Sequence, residues 1–167
     1  MSEKQQDIDA SEKHVHISDK NERVRRFDPE ELKRQLEADK AAWAELKAKL
    51  MEEELTDDDG YPTDAALELV EKWHWSDTTG LLEFMKDIWH LRSWGWSEVD
   101  AKDLDKDDDH YDADGGKLYF ISTAGWSGNE SVIVALMQNT MAWTLTWRQS
   151  RAGGHYIFKQ HAFKDDE

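Results

Sequence analysis

An α+β fold is predicted, with N-terminal helices followed by a small β-α-β-β unit that closes in a C-terminal hairpin. Three observations predict it. Leu32, Leu36, Trp43, Leu46 and Leu50 repeat at heptad spacing. Two shorter apolar stretches at helical spacing follow between Thr63 and Trp89. From Lys117 onward, strand-like runs flank one helix-like run and a glycine turn.

The elements follow in order. Residues 1–27 carry little hydrophobic periodicity and are expected to form a disordered tail with a small basic cluster at Arg23, Arg25 and Arg26. Asp28-Pro29-Glu30-Glu31 is a strong helix start: an N-cap Asp, Pro at N1 and acids in the first turn. The amphipathic helix is expected over 28–55, with Asp39 the one polar member of its stripe. That stripe either packs on its own domain or serves an oligomer or a partner groove.

Residues 63–163 are expected to form a Trp-rich α+β domain. Thr56 to Pro62 reads as a turn, and Thr63 or Asp64 as the cap of a helix through Trp73, with Ala66, Leu67, Leu69 and Val70 inward. Ser76 or Asp77 caps the next helix. Its apolar residues Leu81, Leu82, Phe84, Met85, Ile88 and Trp89 fill much of its circumference, so it is covered on several sides. Ser93 to Ser97 reads as a Trp-Gly-Trp turn, and 98–115 as an exposed, mobile acidic loop. Strands are expected at Lys117–Thr123, Ala142–Gln149 and His155–Phe163, and a helix at Ser127–Gln138. The second strand would place Trp143, Leu145 and Trp147 on one face.

Composition limits the function. The chain has 167 residues, 9 Trp, 0 Cys and a formal charge of -16. Thiolate metal sites and disulfides are excluded. No apolar run reaches the roughly 18 residues of a membrane span, and the polar first residues lack a signal-peptide core. A cytoplasmic location and no membrane contact are therefore expected. The charge argues against direct nucleic-acid binding. It is localised: Glu52 to Asp59 carries -6 and Glu98 to Asp114 carries -7. Such a surface suits an acidic inhibitor of a basic protein, although acidic runs are commonly just solvated loops.

The candidate binding residues are Trp94, Trp96, Trp126, Ser127, Gly128, Asn129, Glu130, Arg148, Arg151 and His155. Gly125-Trp126-Ser127-Gly128-Asn129-Glu130 joins a strand-like run to a helix-like run, where backbone N–H groups are free to hold an anion or carbonyl. The same residues also read as a structural start, Ser127 or Asn129 capping and Glu130 completing a capping box. Arg148, Arg151 and His155 flank the Gly153-Gly154 turn, and either hold a phosphate or carboxylate or are ordinary hairpin charges. Trp94, Trp96 and Trp126 sit at glycine turns and would form an exposed aromatic patch of the kind that anchors protein partners. Asp103-Leu104-Asp105-Lys106-Asp107 copies the start of a calcium loop, but Asp108 and Asp114 stand at its two demanding positions. No nucleophile, P-loop or zincin pattern occurs, so no catalytic residue, metal or cofactor is assigned.

From about Trp73 to Phe158 the chain resembles a family of small uncharacterised proteins of bacteriophages and prophages. The matching features are Leu81-Leu82-Glu83-Phe84, Trp94-Gly95-Trp96, Ile121 through Glu130, and Ser150 through Tyr156. The chain departs from the pattern at Ala124, where glycine is expected, and at Ala152, where a second arginine is expected. The resemblance implies a phage-encoded accessory protein in the host cytoplasm. The expected function is binding of a host or phage protein. The alternative is a small-ligand or anion-binding domain, or an enzyme, built on the 125–130 turn.

Overall fold

In the computed structural model, residues 28–160 are described, and the expected tail over 1–27 lies outside them. The fold is α+β. Helix α1 (Pro29–Leu50) starts as its sequence dictates: the Asp28 carboxylate accepts from Glu30 N–H at 3.0 Å, with Pro at N1. It ends five residues before the expected boundary. Its stripe packs on its own domain at the C-terminal end, where Trp43, Leu46 and Leu50 join the core. Trp43 lies 5.1 Å from Trp73, and Lys47 Nζ sits 4.0 Å above the Trp73 ring. Leu32 stays exposed.

Thr63 caps α2 (Asp64–Lys72), and Asp77 caps α3 (Thr78–Asp87). The apolar residues of α3 are buried around its circumference, as expected. After α4 (Arg92–Gly95) the chain enters β1 (Trp96–Asp100), then β2 (Lys117–Ser122), α5 (Ser127–Gln138), α6 (Thr140–Thr146), β3 (Trp147–Arg151) and β4 (His155–Lys159). The four strands form one antiparallel sheet in the order β1-β2-β4-β3.

Four expectations need correction. The Trp-Gly-Trp segment is a short helix running into a strand, not a turn. Residues 140–146 are helical, because the Asn139 side chain accepts from Ala142 N–H and its amide donates to Val70 O and Trp73 O, tying α6 to the end of α2. Trp143 and Trp147 therefore meet by an i,i+4 step, stacked at 5.9 Å, and not by strand alternation. The last strand ends at Lys159; Gln160 is not part of it, and 161–163 of the expected span lie outside the described residues.

The fourth correction concerns the acidic loop. Its first three residues belong to β1. The remainder folds across the sheet instead of standing away from it. Strand alternation gives the sheet two faces. Trp96, Tyr119, Ile121 and Phe158 face the helical core. Val99, Leu118, Phe120 and Ile157 face outward, and Ala101 and Leu104 cover part of them. Asp112 pairs with Lys159, whose side chain is almost wholly buried, and the His110 ring meets Phe120 edge-on. The segment keeps its exposed acids while its apolar residues and one carboxylate hold it down.

Candidate functional site

The 125–130 turn is built by packing. The chain reaches it through left-handed backbone at Ala124 (φ 54°) and Gly125 (φ 75°). Gly128 is buried, and a side chain there would run into the Tyr61 ring and Pro62. Asn129 is 1% exposed, and its amide hydrogen-bonds both backbone groups of His90. His90 stacks on Tyr61 at 4.7 Å, and the half-exposed Trp126 ring closes over His90 at 4.9 Å.

The capping reading is corrected as well. Trp126 occupies the N-cap of α5 with no side-chain hydrogen bond to the helix. The Asn129 amide is committed to His90, and the Ser127 carbonyl accepts from Ser131 Oγ. Ser127 and Glu130 instead line a separate hollow between α2 and α5, with Leu67 and Val134. Gly128 and Asn129 are closed off from ligand. Their residue types follow from the Tyr61–His90–Trp126 cluster.

The remaining candidates divide. The Trp96 ring is core, edge-on to Trp89 at 5.5 Å and to Tyr119 at 5.8 Å, so it forms no exposed patch, although the residue borders the groove that Trp94 lines. Arg148 bends back to Trp147 O at 2.7 Å, and burial pushes its guanidinium below the usual value. It does not join Arg151 and His155. Those two, with Trp94, line an open groove of about 400 Å³ on the outer face of the sheet, beyond the part the acidic segment covers.

Strand register explains the groove. Ser97, Phe120 and Ile157 lie side by side across β1, β2 and β4. One step along, Ser122, His155 and Arg151 lie side by side across β2, β4 and β3. The first row supplies an apolar floor. The second supplies a hydroxyl, an imidazole and a guanidinium. Trp94 stands at the β1 side and is 71% exposed, the most exposed of the large hydrophobic residues described. Arg151 also donates to Gln149 Oε1 at 3.1 Å. Arg151 and His155 are the charged or basic side chains lining the groove, and no carboxylate lines it. Sequence reasoning missed Ser97, Phe120, Ser122 and Ile157. The alternation of β2 was visible, but the pairing that gathers these residues was not.

A second cluster lies on the core side. Glu98 accepts from Lys86 at 2.7 Å, Lys117 at 3.1 Å and Trp96 Nε1 at 3.1 Å. Lys117 also meets Glu83 at 2.9 Å, and the buried Tyr119 hydroxyl donates to Glu83 at 3.2 Å. Burial pushes the Glu98 carboxyl up, but the hydrogen bonds from Lys86, Lys117 and Trp96 outweigh it and hold it below the ordinary value. Burial raises the Tyr119 phenol. Each of these side chains pairs with another of the cluster, which makes this a structural brace.

Among the described residues, no group of three or more His, Cys, Asp or Glu side chains could hold a metal ion, and no helix is long and apolar enough to cross a membrane. No protein-family model, curated protein or solved structure matches this chain.

Proposed function

We propose that this chain is a phage-encoded accessory protein that acts by binding a host or phage protein, and that the partner docks in the outer-sheet groove. The phage origin is supported by the motif resemblance alone. The docking is supported above all by Trp94. A Trp side chain left in water at the rim of a groove is a ready anchor, and burying it under a partner contributes on the order of 3 kcal/mol. The groove is also open. It would cover one side of a small molecule, whereas small-ligand pockets enclose most of theirs.

The acidic segment adds a second element to this reading. Lys102, Asp103 and residues 105–109 are exposed, and His110 holds this stretch against Phe120, whose backbone neighbours line the groove. Acids fixed beside a docking groove steer a basic partner toward it. This keeps the idea of an acidic inhibitor, with the groove as the part that selects.

Photocrosslinking tests the proposal. Benzoylphenylalanine placed at Ser97, an exposed residue that lines the groove and leaves Trp94 intact, should trap one protein in the host cell, and the same group at Met51 should not. Equal capture from both positions, or none from position 97, would remove the groove as the docking site.

A further inference from the structure

We infer that the groove recognises a segment of the partner protein in which a carboxylate side chain stands next to an aromatic or aliphatic one. This rests on the reading of the groove as a protein-docking site and adds the chemistry of what docks.

The Ser122–His155–Arg151 row carries the inference. Directly opposed side chains on neighbouring antiparallel strands lie about 5 Å apart, so the row spans roughly 10 Å across three strands. Its members each present a hydrogen-bond donor on one face. An oxyanion seated over His155 is within reach of the Ser122 hydroxyl on one side and the Arg151 guanidinium on the other. No lining carboxylate competes for these donors, although Asp and Glu make up 37 of the 167 residues. One row further in, Phe120 and Ile157 form the floor and Trp94 the wall. A ligand with its anion on the donor row lays its next group on this apolar surface.

The overall charge narrows the anion. A chain at -16 repels a phosphate dianion more strongly than a carboxylate monoanion. At physiological salt the Debye length is about 8 Å, so this repulsion is weakened but not removed, and it adds to the choice made by the groups inside the groove. A partner that is basic overall and carries one carboxylate beside an apolar residue satisfies both the steering field and the groove.

The test is a titration of the isotope-labelled full chain, followed by backbone amide and Trp indole signals. The probe is the blocked tetrapeptide Gly-Phe-Asp-Gly, with Gly-Phe-Asn-Gly as its neutral counterpart. The Asp peptide at millimolar concentration should shift Trp94, Ser122, Arg151 and His155. The Asn peptide should bind about tenfold more weakly, the value of one charge-assisted hydrogen bond. Arg151→Gln should remove that difference while leaving the fold intact, since Arg151 is exposed. Equal binding of both peptides would overturn the proposed chemistry, yet a crosslink from position 97 would still stand for protein docking. Binding of acetate or inorganic phosphate as tight as the Asp peptide would make this a free-anion site and overturn the proposal. Groove signals that move on simple dilution would place a second copy there and also overturn it.

Discussion

The side chain of Asn129 holds His90 by both of its backbone groups, Oδ1 accepting from N–H at 3.0 Å and Nδ2 donating to the carbonyl at 3.1 Å. The two residues are 39 positions apart, and the contact fixes the start of α5 to the turn between α3 and α4. An amide suits the task because it offers a donor and an acceptor side by side.

Asn129→Ala should therefore lower stability and spare the groove. Two backbone groups lose their partner in a buried place, at a cost of about 3 kcal/mol. For a chain of this length that is a melting-point drop of roughly 6–12 °C. Asn129→Asp should fare no better, since a carboxylate cannot donate to the His90 carbonyl. Thermal unfolding measures the loss, and peptide binding below the transition should match the wild type. Lost binding in a fully folded variant would return Asn129 to the site.

The Glu98 brace predicts acid sensitivity. Its carboxyl titrates lower in the folded chain than its ordinary value of 4.5. A carboxylate depressed by folding contributes stability that is fully present above the ordinary value and is lost as pH falls through the folded one. Stability from chemical unfolding should decline as pH drops below about 4.5. Glu98→Gln should be less stable than wild type at neutral pH and show a flatter decline. A variant curve parallel to wild type would show that other carboxylates set the acid limb.

The starts of the first three helices were legible because their signals are local. Asp28-Pro29, Thr63 and Asp77 each announce a helix start within four residues. The errors share a different cause. Ala142 to Gln149 has strand-like composition, and Trp147 onward is a strand, but Asn139 bonds to Val70 and Trp73, nearly seventy positions away, and caps a helix over 140–146. The acidic segment reads as solvated because charge dominates it, while its attachment depends on Ala101, Leu104 and Asp112 finding Leu118, Ile157 and Lys159. At the site, Arg151, His155 and Trp94 were legible as residue types. The row they join with Ser122 exists only through strand register, which no local pattern encodes.

Ala124 adopts a left-handed backbone, φ 54°, that an L side chain enters at a cost of about 1–2 kcal/mol. Ala124→Gly relieves that strain but adds freedom to the unfolded chain. The net expectation is a gain of about 0.5 kcal/mol in chemical unfolding. A clear loss would mean that the Ala124 methyl makes a contact the turn depends on.

Asp112 should act as the pin of the acidic segment. Lys159 is 8% exposed, and removing its partner strands a mostly buried ammonium. Asp112→Asn should cost about 1–2 kcal/mol, less than a fully buried pair because the carboxylate itself is partly exposed. Amide hydrogen exchange over residues 102–114 should speed up more than in the sheet. Adding Lys159→Met should recover stability but leave the segment loose. Unchanged exchange in the single variant would show that Ala101, Leu104 and His110 hold it without the ion pair.

Trp94 and Trp96 offer the sharpest contrast, because they are two residues apart with opposite surroundings. Trp96 is packed between Trp89 and Tyr119, and its indole N–H donates to Glu98. Trp96→Ala opens a core cavity and breaks into the brace, so it should cost about 3–5 kcal/mol and shift the unfolding midpoint strongly. Trp94→Ala removes a ring that is 71% exposed and should change stability by less than about 0.5 kcal/mol. The same change removes the groove wall, so binding of a partner or of the Asp peptide should fall by about tenfold or more. The pair is read by measuring unfolding and binding on both variants. A Trp94→Ala chain that is stable and binds as well as wild type would leave the exposed indole without a role and the groove without its anchor.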